Sequence, residues 1–121
     1  NYGIKENLSY IATSKNKNCG DKITIAVEML NDKIERMYYE TESCVFCQAS
    51  ASLLSKIIKK STIKNLREDI NKIHISSKNK NILLEKKYKP FKKLFQQKYK
   101  ERFNCVLLPL NALLKAINKS V

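Results

Sequence analysis

The sequence contains only two glycines, two prolines and one histidine in 121 residues. This scarcity of glycine and proline excludes a collagen-like or linker-like chain. No apolar run approaches the roughly 20 residues that a membrane-spanning helix needs. The N-terminal residues also lack the charged-then-apolar pattern of a secretion signal. We therefore expect neither a membrane protein nor a secreted disulfide-rich domain, and we expect a cytoplasmic location.

The chain is too short for two independent hydrophobic cores, so residues 1–121 are expected to form a single domain rather than a multidomain enzyme. Hydrophobic residues make up 43% and charged residues 29% of the sequence, which is typical of a globular protein. The first residue is not methionine, as expected of a processed or trimmed chain.

Positive charge is concentrated in one segment. The formal net charge is +13, yet residues 1–55 carry 6 basic and 7 acidic side chains, whereas residues 56–100 carry 15 basic and 3 acidic ones. Such a segment can attract an acidic partner or a phosphate backbone. However, lysine greatly outnumbers arginine, on which phosphate and base recognition relies more heavily. A solvated lysine-rich surface is therefore expected, and nucleic acid is not an expected partner.

Alternation of apolar and polar residues predicts strands near the N-terminus. A short strand is expected between Ile4 and Thr13, followed by a hairpin over residues 22–43 that turns at Asn31-Asp32. In the first hairpin strand the inward set is Ile23, Ile25, Val27 and Met29. In the return strand Met37, Tyr39 and Thr41 are expected on one face, with Arg36, Tyr38 and Glu40 on the other.

Beyond Cys44 the apolar spacing becomes helical. The first predicted helix has an apolar stripe of Ala49, Leu53, Leu54, Ile57 and Ile58. A second helix is predicted from Thr62 to Ile73 and capped by Ser61 or Thr62, with Ile63, Leu66, Ile70 and Ile73 facing inward. A polar loop is expected at residues 76–81, and Pro90 is expected to separate two short segments.

The last predicted helix covers about residues 103–118 and has a candidate stripe of Leu107, Leu110, Leu114 and Ile117. Pro109 removes the N–H that would bond the Cys105 carbonyl, so we expect either a kink or a helix start near Leu108. Together these elements predict an α+β fold, a small antiparallel sheet of about three strands with helices packed on one face.

Four cysteines, at positions 19, 44, 47 and 105, are the candidate chemical groups. Without a secretion signal, metal binding, reactive thiol chemistry and plain burial all remain open. The predicted hairpin brings Cys19 and Cys44 to the same end, and Cys105 arrives from the start of the final helix. Gly20 lets the backbone turn so that Cys19 and Asp21 can face the same way. Three thiolates and one carboxylate make a plausible tetrahedral site for zinc or iron.

Three segments carry a resemblance to a known family. They are residues 16–21 (Asn-Lys-Asn-Cys-Gly-Asp), residues 44–53, where Cys44 precedes Gln-Ala-Ser-Ala-Ser-Leu, and residues 102–105 (Arg-Phe-Asn-Cys). In this order and at this spacing they resemble the IscU/NifU N-terminal family of iron–sulfur cluster assembly proteins. The resemblance covers essentially the whole chain and implies that the family's usual N-terminal helix is absent here.

The 61-residue interval from Cys44 to Cys105, and Asn104 in place of a histidine, look like the SufU branch. The resemblance then implies a zinc-binding sulfur acceptor that takes persulfide sulfur from a SufS- or NifS-like cysteine desulfurase and passes it to downstream iron–sulfur proteins. It implies Cys19, Asp21, Cys44 and Cys105 as metal ligands, Cys19 as the sulfur acceptor, and Arg102 as the family's arginine near the site. Two interpretations of Arg102 stay open, a surface arginine of the basic segment and a partner that holds Asp21 away from the metal or releases it onto the metal. Enzymatic activity of a conventional kind is not expected.

Other residues are interpreted as structural. Cys47 is expected to be buried on its helix, although it could also act as a spare thiol near the metal. His74 is expected at the surface or hydrogen-bonded in the core, outside the site. The aromatic series Phe91, Phe95, Tyr99 and Phe103 is expected to pack in the core rather than to stack on bases.

Two other functions are compatible with the same residues. The first is a scaffold that assembles a [2Fe–2S] cluster on Cys19, Cys44 and Cys105, with iron rather than zinc as the metal. The second, more distant alternative is a zinc-stabilised module that binds RNA or an acidic protein through residues 56–100.

Overall fold

The computed structural model of the protein describes residues 10–16, 20–78 and 86–118. Three antiparallel strands lie side by side in chain order, Tyr10–Asn16 (β1), Asp21–Leu30 (β2) and Lys33–Glu42 (β3). The predicted α+β fold with a three-stranded antiparallel sheet is confirmed. The part of the first predicted strand before Tyr10 lies outside the described residues.

The helices follow the sheet in the chain. They are Val45–Ile57 (α1), Ile63–Ser77 (α2), the 3₁₀ segments Lys86–Lys93 and Gln97–Arg102, and Phe103–Asn118 (α3). None of the helices within these described ranges is long and apolar enough to cross a membrane.

The predicted hairpin is confirmed, including its turn. Asn31 and Asp32 have φ values of 53° and 63°, which is the left-handed pair that a two-residue hairpin turn requires. The register shifts between Glu28 and Met29, because Glu28 pairs with Arg36 and Met29 pairs with Ile34. Glu35 is therefore the extra residue of a bulge, which lies far from the end of the hairpin that carries Asp21.

One face of the sheet forms the floor of the hydrophobic core. Ile25, at the centre of β2, is fully buried and lies opposite Ala12 on one side and Tyr39 on the other. The other face carries hydrophilic cross-strand pairs such as Thr13 and Thr24, whose hydroxyl oxygens are 2.7 Å apart. This division agrees with the predicted alternation along β2 and β3, except that Ala26 and Tyr38, which pair on this second face, are also buried.

The buried face of α1 is rotated from the predicted stripe. Leu54 and Ile58 are fully buried as predicted, but Ala49, Leu53 and Ile57 are only half-buried. The buried positions of the helix are Cys47, Ser50, Ala51, Leu54 and Ser55. The predicted stripe left out Ser50, Ala51 and Ser55, and it left out the two serines because it considered only apolar residues. Each serine hydroxyl donates a hydrogen bond to a backbone carbonyl.

The structure confirms the predicted start of α2. The Thr62 hydroxyl accepts a hydrogen bond from the Asn65 N–H at 3.2 Å, as an N-cap does. Leu66, Ile70 and Ile73 are buried on its inner face, and Ile63 is half-buried. The helix continues to Ser77, so the first two residues of the predicted polar loop are helical.

The final helix has the predicted bounds. It runs without interruption through Pro109, so it does not start near Leu108, which was one of the two alternatives that the sequence suggested. A proline inside a helix costs about 3 kcal/mol. Here that cost is offset by burial on almost every side, since eleven of its sixteen residues are buried.

The segment before α3 also runs through a proline. Pro90 lies within the first 3₁₀ segment rather than separating two elements. Phe91, Phe95 and Phe103 are buried, as expected of core aromatics. Tyr99 is half-buried, and its ring lies 5.0 Å from that of Phe46 at the start of α1.

Candidate metal centre

Three elements begin or end at the same edge of the sheet. Asp21 is the first residue of β2, Cys44 immediately precedes α1, and Cys105 lies in the first turn of α3. The pairing of Lys22 with Glu42 sets Asp21 beside the chain that leaves β3. The sheet register therefore brings Asp21 to Cys44, and the packing of α3 brings Cys105 to both.

The side chains of Asp21, Cys44 and Cys105 converge. A carboxylate oxygen of Asp21 and the Sγ atoms of Cys44 and Cys105 all lie within 4.8 Å of one another. Cys105 is fully buried and Asp21 is only 4% exposed, whereas Cys44 is half-buried and gives the cluster its contact with solvent. One carboxylate and two thiols at such separations are a donor set that suits zinc or iron.

Asp21 also organises the start of α1. The Cys44 N–H donates to Asp21 Oδ1 at 3.0 Å, and Cys44 Sγ lies 3.5 Å from Oδ2. Cys44 is the N-cap of α1, but its own side chain makes no capping hydrogen bond. A carboxylate next to a helix N-terminus is favoured by the positive end of the helix dipole. The sequence analysis proposed Asp21 as a metal ligand but did not predict this contact with the start of α1.

A buried hydrogen bond connects the two helices that carry cysteines. The fully buried Ser50 hydroxyl on α1 donates to the carbonyl of Val106 on α3 at 2.6 Å. Val106 directly follows Cys105, so this bond fixes α1 against the turn that presents the second thiol. Ser50 lies in a run of small side chains, residues 49–52, which lets α1 and α3 approach closely at this point.

Cys19 lies outside the described residues, and so do Lys17 and Asn18. The described neighbour Gly20 has a φ of +70°, the left-handed conformation that glycine adopts most readily. A Cβ added to Gly20 would have no atom within 4 Å, so the need for glycine comes from the backbone angle and not from crowding.

Cys47 is buried on α1, as predicted. Its Sγ is 4.0 Å from the Thr41 hydroxyl, at the end of β3. Burial raises the pKa of the Cys47 thiol, hydrogen bonds from Ser43 and Thr41 oppose that rise, and the charge of Asp21 adds to it. Cys47 is not among the three residues whose ligand atoms converge in the part of the chain that the structure describes.

The structure places the remaining candidates at the periphery. Arg102 is exposed and ends the second 3₁₀ segment, three residues before Cys105. His74 lies near the end of α2, half-buried, and lines a cleft of about 400 Å³ together with Lys15, Asn104 and Asn111. Among the described residues, His74 does not join the ligand cluster.

The surface beside the cluster combines apolar and basic groups. Val45, which directly follows Cys44, is 75% exposed. Phe46 and residues 97–102 line a shallow groove, with the Lys98 ammonium 5.1 Å from the centre of the Tyr99 ring. The lysines of the 3₁₀ segments are exposed, as expected of a solvated basic surface.

Known proteins resemble this chain in family and in structure. The family of NifU-like N-terminal domains matches residues 1–119. A search of curated protein sequences gives no significant match.

Solved structures with the same fold include three that cover nearly the whole chain. A nitrogen-fixing NifU-like protein (N-terminal) from Brucella abortus superposes with a TM-score of 0.85 at 23% identity, covering 98% of this chain and 83% of its own. A putative iron–sulfur cluster assembly scaffold protein for the SUF system from Fervidobacterium islandicum AW-1 gives a TM-score of 0.85 at 26% identity, with coverages of 96% and 85%. A protein described only as hypothetical gives 0.75 at 22% identity, with coverages of 97% and 86%.

Proposed function

Since the chain belongs to the family of NifU-like N-terminal domains, which confirms the resemblance seen in its three motifs, we propose that it is a SufU-like sulfur acceptor in iron–sulfur cluster assembly. In this role it binds zinc and takes persulfide sulfur from a cysteine desulfurase. The observation that carries the proposal is the convergence of Asp21, Cys44 and Cys105, whose ligand atoms lie within 4.8 Å of one another.

The donor set fits zinc. Structural zinc sites are usually tetrahedral and favour thiolate sulfur, with carboxylate oxygen as an accepted ligand. Asp21, Cys44 and Cys105 supply three donors, and Cys19, two residues before Asp21, is the proposed fourth. When bound, zinc holds its thiol ligands in the thiolate form at neutral pH. The buried positions of Cys105 and Asp21 limit competition by water for the bound ion.

The sulfur-transfer step is assigned to Cys19. Its thiolate attacks the outer sulfur of the desulfurase persulfide, so that a new S–S bond forms on Cys19 and the original S–S bond breaks. The desulfurase cysteine leaves as a thiolate, and the exchange needs no external oxidant or reductant. Arg102, near the start of α3, is proposed to pair with the Asp21 carboxylate when that carboxylate leaves the metal. Downstream iron–sulfur proteins would then receive the sulfur.

Metal analysis of the purified protein tests the zinc site. We expect zinc near one equivalent, and we expect thiols that react with an alkylating reagent only after chelation. Asp21→Ala and Cys44→Ala should lose the metal, whereas Cys47→Ala, a matched change of a thiol outside the cluster, should retain it. A wild-type protein that binds neither zinc nor iron after reconstitution would refute the proposed site.

Sulfur transfer is tested separately with a cysteine desulfurase and labelled cysteine. Wild-type protein should carry persulfide label on Cys19, and Cys19→Ala should carry none, while Cys47→Ala remains labelled. Full sulfur acceptance by Cys19→Ala would exclude Cys19 as the acceptor.

A second candidate function is a scaffold that builds a [2Fe–2S] cluster as cargo on Cys19, Cys44 and Cys105. Similarity to the Fervidobacterium protein, which is named as an assembly scaffold for the SUF system, favours this function. Iron together with acid-labile sulfide, transferable to an apo-ferredoxin, would support the scaffold over the zinc-bound acceptor.

A further inference from the structure

Cys47 is the thiol that the proposed metal site leaves unused. It is the third residue of α1, and Cys44 is the N-cap of the same helix. Residues three apart on a helix lie on the same side, with Cβ atoms about 5–6 Å apart. A Cys-x-x-Cys pair at a helix N-terminus is an arrangement that thiol–disulfide redox proteins use.

The contacts of the two thiols place them in one small region between the end of β3 and the start of α1. Cys44 Sγ lies 3.5 Å from Asp21 Oδ2, and Cys47 Sγ lies 4.0 Å from the Thr41 hydroxyl. The Thr41 hydroxyl also donates to the Ser43 hydroxyl, directly before Cys44, at 2.6 Å. The hydrogen-bonded side chains of Thr41 and Ser43 thus bridge the sites of the two cysteines.

The two thiols differ in their access to solvent. Cys44 is half-buried, whereas Cys47 is 0% exposed. A small oxidant therefore reaches Cys44 first, and Cys47 meets it only as an intramolecular partner. An accessible cysteine with a neighbouring resolving cysteine is the usual composition of a redox-sensitive site.

We propose that Cys44 and Cys47 form a reversible disulfide on exposure to a peroxide. The Cys44 sulfur attacks the peroxide, the O–O bond breaks, and a sulfenic acid and one water result. The Cys47 sulfur then attacks the sulfenic sulfur, the S–S bond forms, and a second water leaves. Two thiols are oxidised by two electrons while hydrogen peroxide is reduced to two waters, and a dithiol reductant reverses the change.

Cys105 is the competing partner, since its Sγ also lies within 4.8 Å of Cys44 Sγ. It belongs to α3, however, which is buried on nearly all sides, so a bond to it joins two separately packed helices. The Cys44–Cys47 bond lies at the start of one helix, so it can form without any movement of α1 relative to α3. A disulfide needs Cβ atoms about 3.5–4.5 Å apart, so the first turn of α1 must tighten slightly for this bond to form.

The disulfide has a consequence that rests on the proposed function. Once Cys44 is bonded to Cys47, its sulfur is no longer a free thiolate, and the cluster keeps only Asp21 and Cys105 among its described members. Oxidation would then release zinc, and reduction would allow it to bind again.

The test uses the full chain, metal-free and zinc-loaded, treated with one equivalent of hydrogen peroxide and then with an alkylating reagent. Peptide mass mapping should show a Cys44–Cys47 link, with the loss of two hydrogens, which a dithiol reverses. Cys47→Ser, a nearly isosteric change, should lose the link and accumulate oxygen adducts on Cys44. Cys105→Ser should retain the link, and circular dichroism verifies that each variant is folded.

A Cys44–Cys105 link in the wild-type protein would overturn the proposal, and so would oxidation of Cys44 with Cys47 left free. Because the link is read from peptide masses, it is measured whether or not the protein binds zinc. If zinc does not bind, the proposed function is refuted and this inference stands. If peroxide releases zinc but forms no Cys44–Cys47 link, this inference is refuted and the proposed function stands.

Discussion

The two helices that carry the cysteines of the cluster, α1 and α3, are supported in opposite ways. Helix α3 is buried on nearly every side by apolar residues and tolerates Pro109 inside it. Helix α1 buries one face, two of whose residues are serines, and its start is held by a hydrogen bond to the Asp21 carboxylate. The Cys105 thiol is thus positioned by hydrophobic packing and the Cys44 thiol by polar contacts.

This difference separates stability from chemistry. Changes in the apolar support of α3 should weaken the whole domain, because its residues belong to the common core. Changes in the polar support of α1 should act mainly at the edge where the cluster lies. Unfolding of the metal-free protein tests this division.

The largest effect is expected at Leu110, which is fully buried at the centre of α3. Leu110→Ala should lower the free energy of unfolding by about 2–5 kcal/mol, because the lost side chain leaves a cavity. Urea unfolding measures the change. The matched variant Leu114→Ala lies on the same helix but is half-buried and should cost clearly less. Equal losses for the two leucines would contradict the picture of α3 as a helix held by its burial.

A smaller effect is expected where Asp21 holds the start of α1. Asp21→Ala removes the acceptor of the Cys44 N–H and should lower the free energy of unfolding by about 1–3 kcal/mol. Asp21→Asn keeps an oxygen in that position and should cost less, although the negative charge is lost. If Asp21→Asn and Asp21→Ala lower the free energy of unfolding of the metal-free protein equally, then Asp21 does not stabilise the fold through its hydrogen bond with the Cys44 N–H.

The hydrogen bond from Ser50 on α1 to Val106 on α3 should contribute about 1 kcal/mol to the free energy of unfolding. Ser50→Ala removes the hydroxyl that donates to the Val106 carbonyl and leaves that buried acceptor with less hydrogen bonding. Ser52→Ala, on the half-buried side of α1, is the control and should stay within about 0.5 kcal/mol of wild type. Two indistinguishable unfolding curves for these variants would show that the α1–α3 contact does not depend on the hydroxyl.

The smallest effect concerns Cys47 and appears only at alkaline pH. Burial raises the pKa of its thiol above the ordinary value of 9.0, so the unfolded chain loses this proton before the folded one does. At pH values below the ordinary pKa of a cysteine, the Cys47 thiol therefore stabilises the fold. This contribution declines as the pH rises from the ordinary pKa to the raised pKa of the folded state. The decline is at most about 1.4 kcal/mol per pH unit for one proton.

Comparison with Cys47→Ala isolates this contribution from the other groups that titrate in the same range. The difference in free energy of unfolding between wild type and variant should shrink between about pH 8 and pH 10. A constant difference across this range would mean that the Cys47 thiol ionises equally in the folded and unfolded chains.

Much of the sheet was predictable because its signal is local. Alternation along residues 22–43, with Asn31-Asp32 between the strands, indicated the hairpin and the inward-facing set of β2 that includes Ile25. The bounds of α3 were equally readable from its apolar content. The rotation of α1 was not, since Ser50 and Ser55 look like surface residues until the carbonyl groups that accept their hydrogen bonds are known.

The candidate metal centre was also predictable only in part. Motif resemblance indicated Asp21, Cys44 and Cys105 in advance, and the structure places their ligand atoms together. The contact between the Asp21 carboxylate and the Cys44 N–H was not predictable, because it joins residues 23 positions apart through the register of two strands. The proximity of Cys47 to Thr41 likewise depends on how α1 leaves β3.

The strands, the hairpin turn and the three α-helices follow from local patterns in the sequence, because strand alternation, helical spacing and turn residues act over a few neighbouring positions. Packing between distant segments, in contrast, sets which face of α1 is buried, the continuation of α3 through Pro109, and the hydrogen bond from Ser50 that joins α1 to α3. Each of these outcomes depends on burial and hydrogen bonding between distant segments, whose free energies exceed local preferences of about 1–3 kcal/mol.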